Sequence, residues 1–274
     1  MIGTLASELA QERSIEGISF DDLLALEQFP DDGGATVYLS GSLVAGLGNP
    51  WSDIDLFAIT DREATGPFVR HASTNDTSAH FVNGRRVDYE FWRPAQVRRL
   101  AERLSEVRIG SGKEIQGTTF LLIEECFIHR LRIGVPLLNR EQFIAYQALF
   151  DFDLFRAYQT EDVIRYTDAL HEDVCGMLEG GDTDVALLRA RDLVEGAVDA
   201  YCHRLGNTDP TRKWRIMFLE ALGDGSPRHQ RIIETFWHLQ FPDIAALRAD
   251  GEACRAHIEE CIRFANRLIS WVQS

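Results

Sequence analysis

Hydrophobic and polar positions change rhythm once along this chain. Up to Gln28 the apolar residues fall at helical spacing: Leu5 and Leu9, then Phe20, Leu23, Leu24 and Leu26, mark two short amphipathic pieces. Pro30-Asp-Asp-Gly-Gly34 reads as a loop. Ala35–Ser40 is rich in β-formers and predicts a strand, ended by Gly41. Asp53–Thr60 predicts a second strand by alternation, with Ile54, Leu56 and Ala58 on one face and Asp53, Asp55 and Phe57 on the other. Ser78–Val82 and Arg85–Trp92 flank Asn83-Gly84 and predict a hairpin, because both central positions of a type I′ turn need positive φ. After Pro94 the helical period takes over and strand signals vanish. Asn139 is placed to cap a helix opening with Arg140-Glu141, and Asp182-Thr183-Asp184 to cap one running through Tyr201. Pro210, Pro227 and Pro242 punctuate the remainder. The expectation is a small α/β (α+β) domain over residues 1–110 and an all-α helical bundle over 111–274. The boundary falls in Arg108-Ile-Gly-Ser-Gly112.

Charge narrows the choice of partners. The 274 residues carry 28 Lys+Arg against 43 Asp+Glu, a formal net charge of −15. Such a chain repels phosphate backbones, which argues against long nucleic acid and favours a cationic small molecule, or serves solubility alone. The longest apolar runs, such as Phe120–Ile123 and Gly134–Leu138, are too short to cross a membrane. Met1 to Arg13 shows no basic region followed by an apolar stretch, so no secretory signal is expected. Five scattered cysteines without a CxxC pair argue for reduced thiols in a cytoplasmic protein, with neither a zinc site nor a disulfide framework.

The pattern that carries chemistry is Leu39-Ser40-Gly41-Ser42, a loop holding Gly46, Gly48 and Asn49-Pro50, then Asp53-Ile54-Asp55-Leu56. Strand alternation puts Asp53 and Asp55 on one face, roughly 6–7 Å apart at Cα. Two carboxylates that close repel unless a cation lies between them, and Mg²⁺ suits oxygen ligands shared with substrate phosphates. Gly41 lets a phosphate approach the backbone, and Ser42 offers a hydroxyl and an N–H. On the hairpin's second arm Asp88 supplies a third carboxylate, and Glu90, two residues on, shares its face.

These residues resemble the DNA-polymerase-β-like nucleotidyltransferase superfamily. Gly46-Leu-Gly-Asn-Pro-Trp-Ser-Asp-Ile-Asp-Leu56 is most similar to bacterial aminoglycoside adenylyltransferases, which pair a nucleotidyltransferase domain, built on a small mixed sheet, with a C-terminal helical domain. The resemblance covers about 60 residues, from Tyr38 to Phe91. It implies that Asp53 and Asp55 hold two Mg²⁺ ions, one of them carried by the triphosphate of ATP or another NTP. It implies that Asp88 helps hold the second ion and takes the proton of an acceptor hydroxyl. Gly41, Ser42 and Ser52 would meet the triphosphate, and Arg191 and Lys213 would balance it from the helical half. The implied reaction is transfer of a nucleoside monophosphate, in the first instance AMP, to a hydroxyl of a small molecule such as an aminoglycoside or related natural product. The alternative is a regulatory, antitoxin-like protein that nucleotidylylates or binds a partner protein.

Several other features invite a role. Gly110-Ser-Gly-Lys113-Glu114 ends like a phosphate-binding loop but lacks the earlier glycine, which is Val107, and the Ser/Thr that Glu114 replaces. His71 and His80 flank a polar loop and are candidates to reach the cleft, whereas His171, His203 and His257 read as helix-surface or core groups. Trp51 is placed to stack on a ring or to anchor its loop. Glu124-Glu125 read as surface acids, with a cleft role as the alternative.

Overall fold

The computed structural model describes residues 8–9, 11–29, 34–66, 68–110 and 114–274. The chain divides into two compact units: residues 1–107 with 117–152, and residues 108–116 with 153–274.

The first unit is built on a mixed six-stranded sheet. Its strands are β1 (Ala35–Ser40), β2 (Ile54–Thr60), β3 (Arg70–His71), β4 (Asp76–Val82), β5 (Arg85–Trp92) and β6 (Val135–Leu138), in the order β6-β1-β2-β5-β4-β3. Neighbours run antiparallel except β2 and β5, which are parallel. Asn83 and Gly84 take φ of 52° and 78°, the left-handed pair that the β4–β5 turn requires. One face of the sheet buries Val37, Leu39, Ile54, Leu56, Ala58, Val87, Tyr89 and Phe91 against Phe20 and Leu23 of the short helix α1 (Phe20–Ala25). Tyr38, Phe57 and Trp92 point to the other face. There Phe127 of α4 (Leu122–Ile133) meets Trp92 at 4.3 Å, and Phe143 of α5 (Arg140–Gln147) meets Tyr38 at 5.1 Å between centroids. Each of these burials contributes roughly 1.5–3 kcal/mol. α2 (Gly41–Val44) links β1 to β2, and α3 (Pro94–Glu106) follows the hairpin.

Three sequence expectations need correction here. The N-terminal segment is not helical through residue 28: Ser14–Ile15 pairs with Ile18–Ser19, because Glu16 and Gly17 turn the chain at positive φ. Leu5 lies outside the described residues, as do Pro30 to Gly33 and the Ser111–Lys113 part of the glycine-rich stretch. Strands also do not end at Pro94. Val135-Pro-Leu-Leu138 pairs with β1, and Val135 and Leu137 join the core. A four-residue apolar run carries too little periodicity to distinguish a buried strand from a helix segment. That pairing keeps residues 117–152 with the first unit, so the units do not part at 110.

The second unit is helical apart from the paired Arg108–Ile109 and Ile115–Gln116. It contains α6 (Phe152–Gly180, of which residues 153–180 belong to this unit), α7 (Thr183–Arg204), α8 (Arg215–Leu222), α9 (Pro227–Gln240), α10 (Ile244–Ala249) and α11 (Gly251–Gln273). α7 buries small residues, Ala186, Ala190, Gly196, Ala197 and Ala200, along its length. A Cβ on Gly196 would sit 2.6 Å from Thr167 Oγ1 of α6, so glycine sets how closely these helices pack. Asn139 and Asp182 stand at helix starts as expected, but neither side chain makes a capping hydrogen bond. No described helix is long and apolar enough to cross a membrane. None of the five cysteines is joined in a disulfide.

Candidate active site

Strand β1 ends at Ser40, whose hydroxyl donates to the Arg130 carbonyl at 2.8 Å, and the chain turns at once into α2. Gly41 has a φ of 84°. A Cβ there would overlap the Asp55 carboxylate, lying 2.8 Å from its Cγ. Glycine therefore supplies both the left-handed backbone and the room that Asp55 occupies. Asp55 is the register partner of Ser40 on one side and of Asp88 on the other. Because β2 and β5 are adjacent and parallel, the two aspartates project side by side, on strands about 4.8 Å apart.

The same register separates Asp88 from Glu90. Glu90 lies opposite Phe57 and accepts hydrogen bonds from Arg130 Nη1 at 2.8 Å and Asn75 Nδ2 at 3.2 Å. Burial raises its pKa above the ordinary carboxylate value, against the opposing pull of the Arg130 guanidinium. Glu90 is thus engaged in the wall of the site, while Asp88 stands at its mouth with 26% of its side chain exposed.

Arg86, which the sequence reading passed over, faces the acids. Its Nε donates to Asp88 Oδ1 at 2.8 Å and lies 4.0 Å from Asp53 Oδ2. The Asp88 hydrogen bond and charge, and then Asp53 and Asp55, hold the guanidinium still more firmly protonated. Strand period 2 pointed to it, since it precedes Asp88 by two residues on the same face. Among the described residues no three His, Cys, Asp or Glu side chains gather around one cation position. Asp53 and Asp88 share Arg86 instead. The acidic groups at this end are nevertheless all oxygen donors already balanced by a cation, a set that suits a hard divalent ion.

A cavity of about 460 Å³ opens over this face, lined by Asp55, Asp88, Glu90, Phe68, Arg70 and Arg130 among others. A second, of about 320 Å³, lies between Trp51 and Phe81 and includes Ser52 and Asp53; Arg86 lines both. Trp51 is 91% and Phe81 65% exposed. The loop that carries Trp51 is held by its own polar groups. Asn49 N–H donates to Ser52 Oγ at 2.9 Å, Trp51 N–H donates to Asn49 Oδ1 at 2.8 Å, and Arg85 donates to the Ser52 carbonyl at 2.8 Å. Ser42 is half-buried in α2.

Arg191 and Lys213 belong to the second unit and sit in different settings. Arg191 is on α7 with its Nε buried and without a hydrogen-bond partner, and its charge acts on His257 and Cys261 of α11. Lys213 lies in a 3₁₀ turn with its ammonium 4.7 Å from the Trp214 ring centroid. His80 does not reach the cleft. Its position in β4 turns it to the opposite face, where it is buried 2.8 Å from Glu27 Oε1. His71 pairs with Asp76. Glu124 is not a surface acid: it is buried and grips Arg103 at 2.6 and 3.1 Å.

Residues 24–108 match a family model for the nucleotidyltransferase domain, a stretch that contains β1, β2, the β4–β5 hairpin, Asp53, Asp55, Asp88 and Glu90. This stretch is a nucleotidyltransferase domain, and the chain couples it to a helical region. The class acts on a nucleoside triphosphate and transfers its nucleotidyl group. A search of curated protein sequences finds no match. Among solved structures, the chain is similar to a crystal structure of a nucleotidyltransferase-like protein from Exiguobacterium sibiricum 255-15. The two are 10% identical over 92% of this chain and 72% of that one, with a TM-score of 0.47. Likeness at that level adds nothing to the assignment.

Proposed function

We propose that this protein is a Mg²⁺-dependent nucleotidyltransferase that moves a nucleoside monophosphate, AMP from ATP, onto a hydroxyl of a small molecule and releases pyrophosphate. The observation that carries this reading is the parallel register of Asp55 and Asp88 beside Gly41. Asp53, Asp55 and Asp88 are the residues that would hold the cations, two when nucleotide is bound, with the Arg86 guanidinium displaced. Bound divalent ions neutralise the triphosphate and the charge that develops at the transferred phosphorus. Asp88 takes the proton of the acceptor hydroxyl, whose oxygen bonds to the α-phosphorus. The bond from that phosphorus to the bridging oxygen breaks, and pyrophosphate departs with the electron pair. Gly41, Ser42 and Ser52 contact the triphosphate.

The Trp51–Phe81 cavity supports a ring-bearing acceptor. Two exposed aromatic faces offer stacking surface, and Asp53 beside them attracts a positive substituent. The net charge of −15 draws the same kind of molecule. An aminoglycoside or related natural product meets these demands. The test is a pyrophosphate-release screen of the four NTPs against aminoglycosides and related polyols, in Mg²⁺ and in EDTA. Acceptor-dependent release that requires the metal is expected. If no acceptor on the panel raises release or gains the mass of a nucleoside monophosphate, the small-molecule reading is wrong.

A further inference from the structure

Helices α9 and α11 enclose a groove of about 310 Å³ in the helical unit. Its floor is the buried apolar set Ile232, Phe264 and Leu268, and its walls carry Arg228 and Arg231 from α9 and Arg267 from α11. Spacings of three and four residues bring each helix's contributors onto one face. Several other guanidinia of this unit have carboxylate partners, Arg156 with Asp153, Arg189 with Asp192, Arg215 with Asp199 and Arg248 with Asp184, while Arg255 donates to the Leu178 carbonyl. Among the described residues, none of the three groove arginines has a carboxylate within 4.0 Å.

Three like charges around one small groove repel one another. The local backbone adds to their field. Arg228 lies in the first turn of α9, which holds no acidic residue of its own; Asp224, just before the helix, accepts from the Ser226 N–H at 2.9 Å. Arg228 is also held in place, its guanidinium 4.7 Å from the Trp271 ring centroid, with Trp271 in turn 4.9 Å from Tyr201. Stacking of this kind fixes the plane of the fork and leaves its N–H edge available. In a chain with a net charge of −15, this is a concentrated positive site.

We propose that the groove binds a small molecule bearing two or more phosphate groups, its oxygens on the forks of Arg228, Arg231 and Arg267 and any apolar part against Phe264. Guanidinium forks match phosphate oxygens two at a time. A di- or triphosphate also packs its charge into a volume this small. An acidic peptide would spread its carboxylates along about 3.3 Å of extended chain per residue.

The test is calorimetric titration of the full chain with inorganic tripolyphosphate and with ADP, in EDTA so that the acids of the nucleotidyltransferase domain stay unscreened and repel the probe. Saturable one-to-one binding is expected, weakening as salt is raised. Arg231→Gln with Arg267→Gln, both exposed changes, should weaken it at least tenfold, and Asp55→Asn should leave it unchanged. Undetectable binding to the wild-type chain overturns the proposal. So does equal affinity in the arginine variant. Binding of a decaglutamate peptide in preference to both phosphate probes would reassign the groove to an acidic polypeptide and overturn the phosphate assignment.

Discussion

Replacing Gly41 with alanine perturbs the site at one identified atom. The left-handed backbone at φ 84° costs an L-residue about 1–2 kcal/mol. At about 2–4 °C per kcal/mol, the melting temperature should fall by roughly 2–8 °C. The second effect is local. The new Cβ would lie 2.8 Å from Asp55 Cγ, and ordinary contact begins near 3.4 Å, so the carboxylate must retreat by at least 3.4 − 2.8 = 0.6 Å. A displacement approaching 1 Å in a catalytic group costs about a hundredfold in rate. Gly84→Ala is the matched comparison: its φ is 78°, but a Cβ there meets nothing within 4 Å. Both variants should therefore lose similar stability, while only Gly41→Ala loses activity and affinity for Mn²⁺. Melting curves, Mn²⁺ titration by electron paramagnetic resonance and pyrophosphate release measure the three quantities. If Gly41→Ala keeps the rate and Mn²⁺ affinity of Gly84→Ala, the idea that Gly41 makes room for a metal-holding Asp55 is refuted.

Asp88→Asn should lower turnover by at least about a hundredfold, as loss of a positioned base does, and Glu90→Gln by much less, since Glu90 is bound to Arg130; the reverse ranking in steady-state kinetics would reassign the base. Arg86→Gln removes the cation between Asp53 and Asp88, so the metal-free protein should melt lower and gain more from added Mg²⁺ than wild type does; an unchanged gain by scanning calorimetry would exclude that balancing role. Burial pushes the Glu27 carboxyl up, but hydrogen bonds from Ser78, His80 and Thr65 outweigh it and hold the group below its ordinary value of 4.5. Its stabilisation is therefore complete above pH 4.5 and lost as pH falls through the lower folded value, so Glu27→Gln should flatten the acid limb of urea-unfolding stability; an unaltered limb would contradict this.

Local periodicity and turn sterics made much of the first unit legible. Alternation announced β2, which begins at Ile54 and leaves Asp53 just before it, Asn83-Gly84 announced the hairpin, and Gly41 marked the end of β1. Each of these signals spans fewer than about ten residues, so the chain states them without its partners. The same logic failed at Val135–Leu138, where a strand of four residues is too short to show a period and is specified by pairing with β1 instead. It failed again at His80 and Glu124, whose neighbours in space, Glu27 and Arg103, are distant in the chain.

What the sequence carried alone is the Asp53-x-Asp55 motif, the glycine that ends β1 and the helical character of the second half. What only the tertiary structure decided is which of Asp88 and Glu90 lies beside Asp55. Asp88 and Glu90 share one strand face, and alternation treats them alike. The parallel register of β2 and β5 sets Asp88 opposite Asp55 and Glu90 opposite Phe57, and α4 then brings Arg130 to Glu90. Register is a contact between strands some thirty residues apart, fixed by the common burial of Ile54, Leu56, Val87 and Tyr89, and no local pattern encodes it.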